Sequence, residues 1–215
     1  MRPVKYILFD AANTLIHKPG LWKELQSVFK KYQISVPEEK LKYHHKMLSE
    51  YMDFPDRTSE EFYLTFNREL FCSLGIVPDD DMLADIFSAC NYLPWEACED
   101  TACLKDIYVP MGILSNFNAS LSVHVEKIFG NIFSDVFVSE TLLKRKPHPA
   151  FYEHAVSAIG LDPQEILYIG DSFKLDTLPA LNVGMRTLLI DRVGVYEASS
   201  FRITNLEAIK DHIDY

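Results

Sequence analysis

The chain reads as an α/β protein, a doubly wound parallel sheet with a block of helices inserted after its first strand, and three observations predict this. A short apolar run near the N-terminus ends abruptly in a carboxylate, the segment 16–94 repeats apolar residues at helical spacing, and from residue 95 short β-favouring runs alternate with helical ones. The first run, Val4 to Phe9, stops at Asp10, as a buried strand does at the edge of its sheet. Four helical stripes follow. Leu21, Leu25, Val28, Phe29 and Tyr32 form the first, and Leu41, His44, Leu48 and Met52 the second, after Pro37. Phe62, Phe66 and Leu70 form the third behind the capping box Thr58-Ser59-Glu60-Glu61. Leu83, Ile86, Phe87 and Cys90 form the fourth, entered through Pro78 and three aspartates that suit a helix N-terminus. Strands are then expected at 111–114, 136–138, 166–169 and 187–190, with helices at 121–129, 150–159, 177–182 and 206–213. Pro110 is tolerable as the first residue of its strand. Residues 1–15 and 95–215 are thus expected to form the α/β core domain, and 16–94 an α-helical cap domain.

With 48% apolar or aromatic residues and 24% charged, the composition supports a buried core and excludes a disordered or low-complexity chain. Twenty-one Lys and Arg against 31 Asp and Glu give a net charge of −10, so no positive surplus serves a nucleic-acid backbone or an anionic membrane. No apolar run approaches the ~20 residues needed to span a bilayer. Cys72, Cys90, Cys98 and Cys103 lie in no CxxC pattern, and the opening segment is too short for a secretory signal. These features point to a reduced, cytoplasmic protein without structural zinc, in which a substrate, if anionic, must be held by a local site.

In open parallel sheets ligands bind beyond the carboxyl ends of the strands. Four such places carry polar residues: Asp10 to Thr14 after the first strand, Ser115-Asn116 after the second, Lys146-Pro147 in a later loop, and Gly170-Asp171-Ser172 with Asp176 behind it. Singly, each has an ordinary explanation as a cap, a turn or a solvated lysine. Together they place two carboxylates, a hydroxyl and a lysine on one sheet edge. Asp10 and Asp171 offer hard oxygen ligands for Mg2+, while Lys146 and Ser115 supply the charge and donors a phosphate needs.

Four segments then resemble the haloacid dehalogenase-like (HAD) hydrolase superfamily, specifically members with an α-helical cap inserted after the first strand of a Rossmann-like core. They are Phe9-Asp10-Ala11-Ala12-Asn13-Thr14-Leu15, Leu114-Ser115-Asn116, Lys146-Pro147-His148-Pro149 and Ile169-Gly170-Asp171-Ser172-Phe173-Lys174-Leu175-Asp176. The resemblance covers about residues 4–191. It implies a Mg2+-dependent hydrolase of small phosphorylated metabolites, with Asp10 as nucleophile forming an aspartyl-phosphate and Lys146 as its catalytic partner. Ser115, Asn116 and Lys146 would hold the transferring group. Asp10, Asp171 and the carbonyl of Ala12 would ligate Mg2+, and Asp176 would support the metal or its waters.

One position departs from that pattern. Phosphatases of the superfamily usually have Asp two residues after the nucleophile, acting as general acid to the leaving group and then as base to water, whereas this chain has Ala12. The carbonyl for Mg2+ remains, but proton transfer by this side chain is lost, a contribution typically worth ~10²- to 10⁴-fold. The resemblance therefore also admits a catalytically weakened metal- and phosphate-binding module, or a phosphonatase or dehalogenase. Phosphonatases have Ala at that position and a cap lysine that forms a Schiff base, and here the cap region offers Lys18, Lys23, Lys30, Lys31, Lys40, Lys42 and Lys46. Phe54, Phe62, Tyr63, Phe66, His44 and His45 are candidates to face substrate from the cap, with most of the aromatics expected in its core. His17 is a candidate proton donor from the hinge.

Overall fold

The computed structural model describes residues 2–213. They form two compact units, one made of the chain up to His17 and again from Ala97, the other of Lys18–Glu96. In chain order the strands are β1 (Tyr6–Phe9), β2 (Ile16–His17), β3 (Glu96–Ala97), β4 (Met111–Ser115), β5 (Asp135–Val138), β6 (Ile166–Gly170), β7 (Arg186–Ile190) and β8 (Arg202–Ile203). Helices α1 (Leu21–Lys31), α2 (Glu38–Tyr51), α3 (Glu60–Ser73) and α4 (Asp80–Cys90) belong to the second unit. Helices α5 (Leu121–Phe129), α6 (Ser139–Leu142), α7 (Pro149–Ile159) and α8 (Leu178–Asn182) belong to the first.

Six strands form one sheet in the order β5-β4-β1-β6-β7-β8, with every pairing parallel. Strands β2 and β3 form a separate two-stranded ribbon. Winding outward from β1 first to one edge and then to the other makes this a doubly wound Rossmann-like sheet, whose order reverses between β1 and β6. Phe9 lies opposite both Ile113 and Ile169, so the residues that follow β1, β4 and β6 emerge side by side. Alternation sends Tyr6 and Leu8 to one face, where they pack with Phe151, Tyr152 and Tyr168. Ile7, Phe9, Ile113 and Ile169 are fully buried as well, so both faces are covered and the strands read as unbroken apolar runs. Each such Leu, Ile or Phe contributes about 1.5–3 kcal/mol by leaving water.

In the second unit Leu25, Val28 and Phe29 of α1, Leu41 of α2, Leu70 and Phe71 of α3, and Met82, Leu83 and Ile86 of α4 share one apolar cluster. The cap of α3 differs by one residue from the sequence expectation. Extended Ser59 accepts from Phe62 N–H at 3.1 Å, which places Glu61 one position too early to complete a capping box. Asp79 caps α4 in the same way. The helix expected at 177–182 is preceded by a π-helical turn, Phe173–Thr177, and the one expected at 206–213 is 3₁₀ over Leu206–His212. Among the described residues no helix is long and apolar enough to cross a membrane.

Candidate active site

The reversal of strand order puts the ends of β1 and β6 next to each other, and Asp10 N–H donates to the Ile169 carbonyl at 2.8 Å. The Asp10 side chain is 7% exposed as a residue and is surrounded by donors. Its Oδ1 accepts from Lys146 Nζ at 2.6 Å and from Ser115 Oγ at 3.1 Å. Its Oδ2 receives a longer contact, 3.4 Å, from Thr14 Oγ1. Thr14 reaches back because the loop after β1 folds on itself: Asn13 takes a left-handed φ of 60°, and Leu15 and Ile16 N–H both donate to the Ala11 carbonyl. Asparagine tolerates that conformation better than most side chains.

Lys146 is buried and shared between two carboxylates, with Asp176 Oδ1 also 2.6 Å from its Nζ. Asn116 holds the lysine's main chain from both sides: its Oδ1 accepts from Lys146 N–H at 2.8 Å and its Nδ2 donates to the Lys146 carbonyl at 3.0 Å. Its amide thus acts through Lys146 in this structure. Asp176 in turn accepts from Tyr168 Oη at 2.8 Å on Oδ1 and from Ser172 N–H at 3.0 Å on Oδ2. The π-helical turn swings Asp176 over Gly170, where a Cβ would stand 2.3 Å from the Asp176 Cγ, so the close approach requires glycine. Tyr152 donates to the Leu175 carbonyl and packs its ring against Tyr168 beneath this network.

Three carboxylates gather at this strand edge. Oxygens of Asp10, Asp171 and Asp176 lie within 4.8 Å of one another, and Lys146 pairs with Asp10 and Asp176. Burial, opposed by Lys146 and reinforced by Asp176 and Asp171, pushes the Asp10 carboxyl up to about 6. Burial alone would lower the Lys146 ammonium, yet Asp10 and Asp176 outweigh it and hold the group above its ordinary value, so the lysine stays charged. A compact set of hard carboxylate oxygens fits a divalent cation such as Mg2+. Both oxygens of Asp176 are engaged, Oδ1 by Lys146 and Tyr168 and Oδ2 by Ser172 N–H, while Asp171 is half-buried.

The sequence motifs that the structure brings together are therefore Asp10, Ser115, Lys146, Asp171 and Asp176, with Ala12 half-buried in the same loop. No sequence motif assigns a separate role to Thr14, Tyr152 or Tyr168. The available signal for Tyr168 was a hydroxyl-bearing residue inside a strand otherwise made of Ile, Leu and Gly. In the second unit Phe54 meets Phe62 and Phe66 edge-on, Phe62 and Phe66 stack, and Tyr63 packs on Phe62 and Phe87. His45 sits between Trp22 and Phe66, where burial pushes it down to about 4, and His44 Nδ1 lies 3.1 Å from Ser73 Oγ. His17 is half-buried on β2.

A family model described as haloacid dehalogenase-like hydrolase matches residues 4–184. The glyceraldehyde 3-phosphate phosphatase of Pyrococcus abyssi is 38% identical over 89 residues, which is 40% of this chain and 37% of that protein. The chain thus spans well under two thirds of that relative's length. The (S)-2-haloacid dehalogenase of Xanthobacter autotrophicus is 23% identical over 219 residues, covering 88% of this chain and 76% of that protein. A magnesium-bound HAD hydrolase from Bacillus subtilis superposes with a TM-score of 0.67 at 17% identity, over 98% of this chain and 99% of that one, a likeness of fold.

Proposed function

The chain belongs to the haloacid dehalogenase-like hydrolase family, and from that premise we propose that it is a Mg2+-dependent phosphohydrolase of small phosphorylated compounds, working through an aspartyl-phosphate on Asp10. The observation that carries this reading is the buried Asp10–Lys146–Asp176 array with Asp171 beside it. Asp10 and Asp171, with the Ala12 carbonyl, would hold Mg2+, which supplies charge neutralisation for the phosphoryl oxygens. A carboxylate oxygen of Asp10 attacks phosphorus, the bond to the leaving oxygen breaks and its electron pair departs with it. Oδ2, with only the 3.4 Å contact from Thr14, is the freer oxygen for this attack. Lys146 and Ser115 orient the carboxylate and offer positive charge and a donor to the transferring group. Water then attacks phosphorus, the P–O bond to Asp10 breaks with its electron pair returning to the carboxylate, and the water's proton leaves on the released phosphate. Asn116 keeps Lys146 in register, and Asp176 keeps its ammonium aimed.

Residue 12 narrows the substrate. A methyl side chain delivers no proton, so the reading favours compounds whose leaving group departs as a stable anion, such as acyl phosphates and phosphoanhydrides. The likeness to the phosphatase of Pyrococcus abyssi supports phosphoryl chemistry over the shorter stretch. Ala12 and the longer, weaker likeness to the dehalogenase support a second reading, attack of Asp10 on a halogen-bearing carbon. The deciding experiment is turnover of acetyl phosphate, graded aryl phosphates, a phosphonate aldehyde and 2-chloropropionate, each with Mg2+ and with EDTA. We expect Mg2+-dependent release of phosphate, fastest from acetyl phosphate, and covalent labelling that Asp10→Asn abolishes. Metal-independent chloride release would replace this reading with dehalogenation. Binding of phosphate without turnover of any compound would reduce the protein to a binding module.

A further inference from the structure

Arg192 lies two residues beyond β7, and its guanidinium is committed to the loop that carries Asp10. Nη1 donates to the Asn13 carbonyl at 2.5 Å and Nη2 to the Thr14 carbonyl at 3.0 Å. The same group grips Asp100, with Nε and Nη2 at 2.7–3.0 Å from its two carboxylate oxygens. Asp100 is fixed from behind by Leu206 N–H, which donates to its Oδ2 at 3.0 Å. The next carbonyl of the loop, that of Leu15, accepts from Cys98 N–H at 2.9 Å. Three consecutive carbonyls, at 13, 14 and 15, are therefore held from outside the loop, two of them by one planar cation. A guanidinium fork suits this task because its donors lie in fixed directions, whereas an ammonium would hold one point.

The loop needs such a clamp. Asn13 has left-handed backbone, and the adjacent Thr14 is the residue whose hydroxyl meets Asp10 Oδ2. We propose that Arg192 is a positioning residue for the reaction. By holding the Asn13 and Thr14 carbonyls it keeps the Asp10–Thr14 segment in attacking geometry, with Asp100 fixing the plane of the guanidinium. This assignment rests on the phosphohydrolase reading above, although the clamp itself has a readout that does not.

The test uses the full chain with Arg192→Ala and Arg192→Lys. Amide hydrogen exchange is resolved to the 10–16 segment, alongside melting, kcat and KM on an activated aryl phosphate in Mg2+. We expect exchange in 10–16 to quicken in Arg192→Ala while β4 and β6 keep their protection. We also expect kcat to fall about 10²-fold with KM little changed, as a misplaced reacting group requires. Lysine should restore part of the rate, since it keeps the charge but spans fewer partners. Unchanged exchange in 10–16 overturns the clamp, and exchange quickened throughout the sheet makes Arg192 a general structural residue. Local loosening with wild-type kcat overturns the positioning role. A wild type that turns over no phosphorylated compound rejects the phosphohydrolase reading instead, and the exchange result alone then upholds or rejects the clamp.

Discussion

Ala12 stands in the loop where proton transfer to a leaving group is expected, and its methyl group separates two parts of catalysis that usually coincide. In the proposed reaction positioning and charge would come from Asp10, Lys146 and Ser115, and the Ala12 side chain would give no acid–base help. Ala12→Asp should therefore raise hydrolysis of esters with poor leaving groups by up to ~10²- to 10⁴-fold and leave activated esters nearly unchanged. Steady-state rates across leaving groups of graded pKa check this, and a variant-to-wild-type ratio near one across the whole series would show that residue 12 does not limit the enzyme. Asp191 makes a second residue-level case. Its buried carboxylate accepts from Gly194, Val195 and Tyr196 N–H and from Arg202 Nε at 2.8–3.0 Å. Burial alone would raise this carboxyl, but the Tyr196 and Val195 amides, the Arg202 guanidinium and the Gly194 amide outweigh it and leave the group below its ordinary value. A carboxyl depressed on folding stabilises the native state above the unfolded pKa, ~3.9, and that contribution is lost as pH falls through the folded value. Asp191→Asn should cost about 1–3 kcal/mol at neutral pH, because an amide NH2 would face N–H donors, and the gap should close in strong acid. Denaturation at pH 7 and at pH 3 measures both, and an unchanged gap would remove the charge from the explanation.

At the scale of elements, the site exists because β1 and β6 are neighbours although they are separated by the whole inserted segment in sequence. Their register sets Asp10 beside Gly170, and the π-helical turn after β6 lays Asp176 against that glycine. An ordinary α-helical start would carry residue 176 to a different direction, since one additional residue is accommodated in the turn. Gly170→Ala is expected to push Asp176 off Lys146, because the new Cβ would stand 2.3–2.5 Å from three Asp176 atoms. Overpacking of this kind typically costs about 1–3 kcal/mol. The melting temperature should fall and phosphoryl transfer should fall further than the lost stability accounts for. Full activity in a folded Gly170→Ala variant would show that Asp176 need not lie where it does. The second unit's elements are simpler, since four amphipathic helices each bury a stripe in a shared cluster, with a second group of rings around Phe66.

For the whole molecule, the proposed Mg2+ site at Asp10 and Asp171 predicts a link between stability and metal. Mg2+ binding the folded form alone stabilises it by about 2.7 kcal/mol at a hundred times its Kd, so melting should rise by several degrees in millimolar Mg2+. Asp171→Asn should abolish that rise, read as the melting difference between Mg2+ and EDTA within each variant. A Mg2+ response that survives the substitution would place the cation elsewhere. Much of this architecture was legible in the sequence. Strands with both faces buried appear as continuous apolar runs, amphipathic helices as 3.6-residue stripes, and strand-end residues as abrupt polar breaks, because each of these is a local consequence of burial. The cap of α3 falls one residue after the Thr58 that the sequence suggests, since Thr58 and Ser59 are chemically alike and it is Ser59 that accepts from Phe62 N–H. What the sequence by itself determined was thus the α/β class, the place of the helical insertion and the polar residues available at the sheet edge. Only the tertiary structure decided that Lys146 is shared by Asp10 and Asp176, that Asn116 turns to the lysine's main chain, that Tyr168 supports the array from inside a strand, and that Arg192 reaches Asn13 and Thr14. The physical reason is that hydrophobic period is written in neighbouring residues, whereas hydrogen-bond partners far apart in the chain meet only once sheet register has fixed where each strand ends.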